Sequence, residues 1–320
     1  MIDLSQLSPM MQHYMETKKE YPDCVLFYRL GDFYEMFFDD ALTVSKELEI
    51  TLTGKDCGLS ERAPMCGVPF HALDSYLYRL VQKGYKVAIA EQMEDPRQAK
   101  GLVKREVIRV VTPGTITSSQ VLDETKNNYL MGIVYMDGIY GISTADISTG
   151  DFMVTEVDSD RELFDEINKF SPSEIICNNA FYMSGVDMDE LKNRYQVVIS
   201  ALDSRFFGEE SCRRILMEHF KVGALVGLGL EDYATGIIAA GAVMQYIYET
   251  QKSTLEHITT ITPYSTGQYM VIDTSTRRNL ELVETMREKQ KRGTLLWVLD
   301  KTKTAMGARL LRACIEQPLI

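Results

Sequence analysis

The sequence predicts an α/β protein of more than one domain that closes on a short helical segment. Three observations predict it. The chain has 320 residues, about two cores' worth at roughly 150 residues per domain. Short apolar runs of strand type alternate with stretches of helical spacing along most of its length. After one extended stretch at Tyr269–Ile272, only helical spacing follows.

Residues 5–20 read as a helix, because Leu7, Met10, Met11 and Tyr14 recur at helical spacing. Pro22-Asp23 breaks the pattern, and Cys24–Leu30 is a compact apolar run of strand type. Asp39–Ile50 is helical, with Ala41, Val44 and Leu48 on one face. Asp39 and Asp40 stand near its start, where the helix dipole favours negative charge. Residues 53–69 hold Gly54, Gly58, Pro64, Gly67 and Pro69 and are expected to form a long loop. Leu73–Lys83 returns to helix, Lys86–Gln92 and Val103–Thr112 to strand, and Pro113-Gly114 closes the first unit.

The second unit begins near Leu122. Tyr129–Tyr135, Ile139–Asp146 and Asp151–Val157 read as consecutive strands, with Asp137-Gly138 supplying a hairpin turn. Helices are expected at Arg161–Lys169, Glu210–His219 and Glu231–Lys252, and a strand at Glu174–Cys177. A meander followed by alternating helix and strand predicts a mixed α/β domain. The last segment predicts helices at Thr276–Met286, Thr294–Lys301 and Thr304–Gln317, with Thr276 and Thr294 as N-caps. The final helix carries Met306, Leu310, Leu311 and Ile315 on one side. An apolar face with no later element to cover it suggests a longer parent protein.

The net charge is −12, so bulk attraction cannot hold nucleic acid. Residues 1–115 carry 14 basic and 17 acidic side chains, residues 116–265 carry 10 and 23, and residues 266–320 carry 10 and 6. Either end can face a polyanion; the acidic middle is poorly suited to it. Met1-Ile2-Asp3-Leu4 does not read as an export signal. The weakly polar run around Gly236–Met244 falls far short of the ~20 residues that span a bilayer. Six cysteines are too sparse for a disulfide scaffold, so a reduced, cytoplasmic chain is expected. Cys57, Cys66 and His71 fit no zinc spacing, and the thiols are expected as small apolar filler. No G-x-x-x-x-G-K-[ST], H-E-x-x-H or G-x-S-x-G occurs, and neither catalysis nor a cofactor is expected of this chain.

What stands out is Gly31-Asp32-Phe33-Tyr34-Glu35-Met36-Phe37, directly after a strand. Asp32–Glu35 reads two ways. As a helix start, Asp32 would cap and Glu35 would stand three residues on, as in a capping box. As a continuing strand, Phe33 and Glu35 share a face, and a ring and a carboxylate point at one spot.

Five stretches carry a resemblance: Val25–Phe38 (VLFYRLGDFYEMFF), Met65–Leu73 (MCGVPFHAL), Val87–Pro96 (VAIAEQMEDP), Lys100–Thr115 (KGLVKREVIRVVTPGT) and Arg277–Leu282 (RRNLEL). In this order, and over nearly the whole chain, the sequence resembles the MutS family of DNA mismatch repair proteins. The resemblance implies a mismatch-binding domain at 1–115, a ribonuclease-H-like connector at 116–265 and the start of a helical lever at 266–320. It implies that the clamp and the ATPase, with ATP and Mg²⁺, lie outside this chain. The partners it implies are mismatched double-stranded DNA, MutL and a second copy of the full-length protein, with no membrane involved.

In the family the matching Phe stacks on a mispaired base and the matching Glu hydrogen-bonds that base. The resemblance therefore selects the strand reading and carries these roles to Phe33 and Glu35. A ring that enters a base step from the minor groove unstacks it and kinks the duplex. That costs a few kcal/mol at a paired step and less at a mismatched one, so deformability is what is sensed. Arg97, Lys100, Lys104, Arg105 and Arg109 form a basic run, and Arg105 and Arg109 are expected to share a strand face and meet phosphates. The alternative is a solvated edge strand whose charges resist aggregation. The turn of Gly67, Pro69 and His71 is expected to flank the minor groove, since Gly permits close backbone approach. Tyr34, Phe37 and Phe38 are expected in the core. Asp146, Asp151 and Glu174 could be read as two-metal nuclease carboxylates, although their spacing does not demand it. A connector that docks MutL is the other alternative.

Overall fold

The computed structural model describes residues 4–94, 101–118, 122–195, 197–270 and 272–320. By its internal contacts the chain divides into Met1–Pro113 with Glu249–Ser253, and Gly114–Tyr248 with Thr254–Ile320.

Among the described residues the first unit is built on six strands: β1 (Cys24–Leu30), β2 (Phe33–Phe37), β3 (Thr53–Lys55), β4 (Ala63–Pro69), β5 (Lys86–Gln92) and β6 (Arg105–Val111). Their order is β3-β4-β2-β1-β5-β6. β1 and β5 are parallel and the other pairs antiparallel. Helix α1 (Pro9–Glu20) covers one face, packing Met11 and Tyr14 with Leu26, Tyr28, Phe37 and Ala88. Helices α2 (Phe38–Leu48) and α3 (Leu73–Gln82) cover the reverse face through β4 and β5.

Asp40, in the first turn of α2, pins α1 to this scaffold. Its carboxylate accepts from Leu26 N at 2.9 Å, the Tyr14 hydroxyl at 3.1 Å and Lys18 Nζ at 2.9 Å. A buried carboxylate is tolerable only with such partners. Burial, together with Asp40, holds the Tyr14 phenol well above its usual range.

The expected loop at 53–69 is corrected here: it contains β3 and β4. Pro64 and Pro69 lie near the two ends of β4, where a missing N–H disturbs a ladder least. Composition alone concealed an internal strand.

The second unit carries β7 (Leu130–Met136), β8 (Ile139–Asp146), β9 (Asp151–Val157), β10 (Glu174–Cys177), β11 (Val198–Ala201) and β12 (Thr262–Pro263), in the order β11-β10-β7-β8-β9-β12. The expected meander is β7-β8-β9, and β10 and β11 add to it in parallel. The fold is mixed α/β, as the sequence predicts. One face packs against α4 (Asp160–Phe170), α5 (Asn179–Tyr182) and α6 (Met188–Tyr195). The other meets α7 (Glu209–Phe220) and α8 (Ala234–Gln251). α8 lies so close that a Cβ on Gly141 would fall 2.4 Å from the Thr235 carbonyl oxygen. The Glu156 carboxylate caps α8, accepting from Thr235 N at 2.6 Å and Gly236 N at 2.8 Å.

Among the described residues three helices follow: α9 (Thr274–Asn279), α10 (Leu295–Leu299) and α11 (Ala305–Glu316). Thr294 caps α10 as expected. α9 starts earlier than expected, because Asp273 rather than Thr276 is its cap, accepting from Thr276 N at 2.8 Å. It also ends earlier, and Glu281 takes a left-handed φ of 46°. Met306 and Leu310 on α11 stay exposed. Among the described residues no helix is long and apolar enough to cross a membrane.

Candidate nucleic-acid interface

Residues 33–37 form a strand, which removes the helix-start reading of Asp32–Glu35. Leu30 pairs with Phe33 across the Gly31-Asp32 turn, where Gly31 takes a φ of 59° that glycine adopts without a Cβ penalty. Across β2, Phe33 faces Leu30 and Pro69, and Glu35 faces Tyr28 and Gly67. Directly paired residues share a face, so Phe33, Glu35 and Phe37 lie on the side that α1 covers. Cover ends part-way along: Phe37 is 1% exposed, the Glu35 side chain 16% and Phe33 46%. A ring left 46% exposed forgoes about half of the roughly 1.5–3 kcal/mol that full burial yields, so Phe33 holds the fold less than Phe37 does.

Glu35 is paired. Lys55 Nζ donates to its Oε2 at 2.5 Å. Opposite, a Cβ on Gly67 would lie 3.5 Å from Glu35 Cγ and 3.3 Å from the Tyr34 carbonyl oxygen. The missing side chain therefore keeps the approach to the carboxylate open. Pro69 stands beside Phe33, and the next residue, Phe70, donates its N–H to Asp32 O at 2.9 Å. Phe70 is itself 43% exposed, with the Arg29 guanidinium 4.1 Å from its ring centre. His71 is exposed, edge-on to Phe70 at 5.9 Å. The hairpin tip thus gathers Phe33, Glu35, Gly67 and Pro69 on adjacent strands, with His71 in the following turn.

The reverse face of the hairpin is structural. Tyr34 is buried and its hydroxyl donates to the Glu91 carboxylate, which also meets Arg29 at 3.4 Å. Burial first, then Glu91, pushes the Tyr34 phenol above its ordinary value. Phe37 is core as expected, while Phe38 is half-buried.

The pairing of Arg105 with Arg109 is corrected. β5 and β6 slip register between Ile89 and Ala90, so that Ile108 bulges, Arg109 pairs with Ile89 and Val107 with Ala90. One extra residue reverses the alternation, and Arg109 faces the opposite way from Arg105. Arg105 is also buried: Nε donates to Arg29 O at 2.8 Å, Nη1 to Val103 O at 2.7 Å, and the guanidinium lies 5.1 Å from the Tyr28 ring centre. Its donors serve the protein, which does not fit a phosphate contact. Lys104 is exposed and paired with Glu106 at 2.6 Å. Arg97 and Lys100 lie outside the described residues.

The remaining candidates resolve as packing. Cys57 and Cys66 are buried. Burial pushes the Cys66 thiol up to about 12, and Cys66 Sγ lies 3.6 Å from Ala41 O. In the second unit, Asp146 accepts from Asn128 N at 3.0 Å and Ser148 N at 2.8 Å. Glu174 accepts from Gly114 N at 3.1 Å and the Tyr246 hydroxyl at 2.8 Å. Asp151 bonds Asn127 at 2.8 Å. These acids hold turns and strand ends together, which accounts for their placement without a nuclease.

Sequence reasoning missed Lys55 and Phe70. Lys55 was hidden inside the supposed loop. Phe70 follows Pro69 directly in the MCGVPFHAL stretch, and its exposure was legible only from the hairpin's geometry.

Three family models match the chain: MutS domain I over residues 8–120, MutS domain II over residues 128–259 and MutS domain III over residues 275–320. The chain is 64% identical over 317 residues to the DNA mismatch repair protein MutS of Lachnoclostridium phytofermentans, covering 99% of this chain and 34% of that protein. It is 55% identical to the MutS of Acetivibrio thermocellus and 53% identical to that of Ruminiclostridium cellulolyticum, covering 99% of this chain and 36% of each relative. It therefore spans about a third of the length of these curated relatives.

Proposed function

The chain belongs to the MutS family of DNA mismatch repair proteins, and on that premise we propose that its first domain recognises mismatched or unpaired bases in duplex DNA through Phe33 and Glu35. One observation carries the reading. A large aromatic ring stands 46% exposed at the uncovered end of a sheet face, on the same side of one short strand as a carboxylate. Phe33 wedges into a base step, and Glu35 accepts or shares a hydrogen bond with the displaced base. The readout is the lower cost of opening a mispaired step. Gly67, Pro69 and His71 flank the groove, and Arg109, half-buried on the outer strand, supplies a phosphate contact.

The domain boundaries we assign are 1–115 for mismatch binding, 116–265 for the connector and 266–320 for the start of the lever. Docking of MutL on the connector, self-association of the full-length protein, ATP and Mg²⁺ bound by parts outside this chain, and a cytoplasmic location complete the proposal.

The test is Phe33→Ala in the full-length protein, with affinities measured for a G·T duplex and its matched control. Loss of one base–aromatic stack should weaken G·T binding about tenfold to a hundredfold and leave matched binding nearly unchanged. Equal losses on both duplexes would sink the reading.

A further inference from the structure

The Glu35 carboxylate and an approaching duplex are both negative. Double-stranded DNA carries one charge per ~1.7 Å of axis, so a bare carboxylate at the contact point opposes binding of any duplex. The structure contains a specific compensation. Lys55 ends the short edge strand β3, pairs with Ala63 and so lies further along the sheet than Phe37, which is level with Met65. Its side chain nevertheless reaches back, its ammonium lying 5.6 Å from the Phe37 ring centre, to Glu35 Oε2 at 2.5 Å. The two side chains are 33% and 16% exposed, so solvent screens the pair less than an ordinary surface ion pair.

We propose that Lys55 is a positioning residue for Glu35, holding the carboxylate at the mouth of the hairpin and cancelling its charge while a duplex approaches. A carboxylate has two oxygens, and Lys55 engages one of them; the pair thereby offers the other to a base from a fixed rotamer. Gly67 leaves that approach clear. This inference rests on the reading of Phe33 and Glu35 given above.

The experiment is a double-mutant cycle in the full-length protein. Lys55→Met and Glu35→Gln are combined singly and together, and affinities for G·T and matched duplexes are measured. Lys55→Met should weaken both complexes about tenfold when Glu35 is present and less than about threefold in the Glu35→Gln background, because the neutral amide needs no compensation. Lys55→Arg should restore binding, and Lys55→Gln should behave as Lys55→Met. Equal losses in both backgrounds, with the salt slope falling by about one in each, would mean that Lys55 is only a phosphate contact and would overturn the proposal. Failure of Lys55→Arg to rescue would overturn it as well. Phe33→Ala in the same assay separates the two readings. If it abolishes mismatch preference while the cycle is additive, Lys55 alone is misassigned; if preference survives it, the base-probing reading fails.

Discussion

Phe37 and Phe33 are the same side chain on the same face of the same strand, four residues apart, and one is 1% exposed while the other is 46% exposed. At the Phe37 end, α1 supplies Tyr14, whose ring meets Phe37 edge-on at 4.9 Å and Tyr28 at 5.5 Å. Asp40 ties α1, β1 and α2 together there. At the Phe33 end no helix among the described residues lies over the sheet, and the tip is held by backbone: the Leu30–Phe33 pairing and the Phe70 N–H to Asp32 O. One end of the face is filled and stabilises the fold; the other is paired through its backbone but open. A strand already paired on both sides under a half-exposed ring suits the wedge proposed above, because its backbone is not left to be ordered when the ring meets a base step.

The comparison can be broken most severely at its covered end. Phe37→Ala should destabilise the first unit by about 3–5 kcal/mol, read as a lowered denaturation midpoint. A smaller loss would mean that α1 does not seal that end. The thiols under α1 sharpen the same point. Burial pushes Cys24 up to about 11. Its native form keeps the proton longer than the unfolded chain does, so its contribution is complete below pH ~9 and is lost as pH rises toward about 11. In native protein at pH 8, an alkylating reagent should modify exposed Cys314 and spare Cys24 and Cys57. Rapid labelling of Cys24 would show the cover opening.

Next in size is Gly67→Val, which places a branched side chain against Glu35 Cγ. It should cost about 1 kcal/mol of stability by crowding and reduce G·T preference, measured by competition with matched duplex. Unchanged preference would argue that Glu35 needs no clear approach. The smallest effect belongs to the open end itself. Phe33→Ala should shift the unfolding free energy by about 1 kcal/mol or less, although it removes as many atoms as Phe37→Ala. A large loss would show that the ring serves the core.

Much of this was legible in the residues. Cys24–Leu30, Lys86–Gln92, Ile139–Asp146, Asp151–Val157 and Glu174–Cys177 are strands as their apolar runs predict, because burial on a sheet writes itself into local hydrophobic pattern. Phe33 and Glu35 were legible as a pair once the strand was chosen over a capped helix, since two-residue spacing fixes a common face. β3 and β4 were not legible, because their Gly and Pro content carries the local signature of a loop, and the strand that anchors β4 in the sheet, β2, lies some thirty residues earlier. The bulge at Ile108 was equally invisible, and with it the opposed directions of Arg105 and Arg109.

The sequence by itself thus determined the class of fold and most strands of the two sheets, which depend on side chains within a few positions of one another; the aromatic-carboxylate pair followed only with the family resemblance, because Asp32–Glu35 also reads as a capped helix start. Only the tertiary structure decided which end of a face α1 covers, that Lys55 reaches Glu35 and that Arg105 is enclosed. Those outcomes depend on packing between segments tens of residues apart. Local periodicity does not encode it, because the free energy of burial depends on what finally lies opposite each side chain.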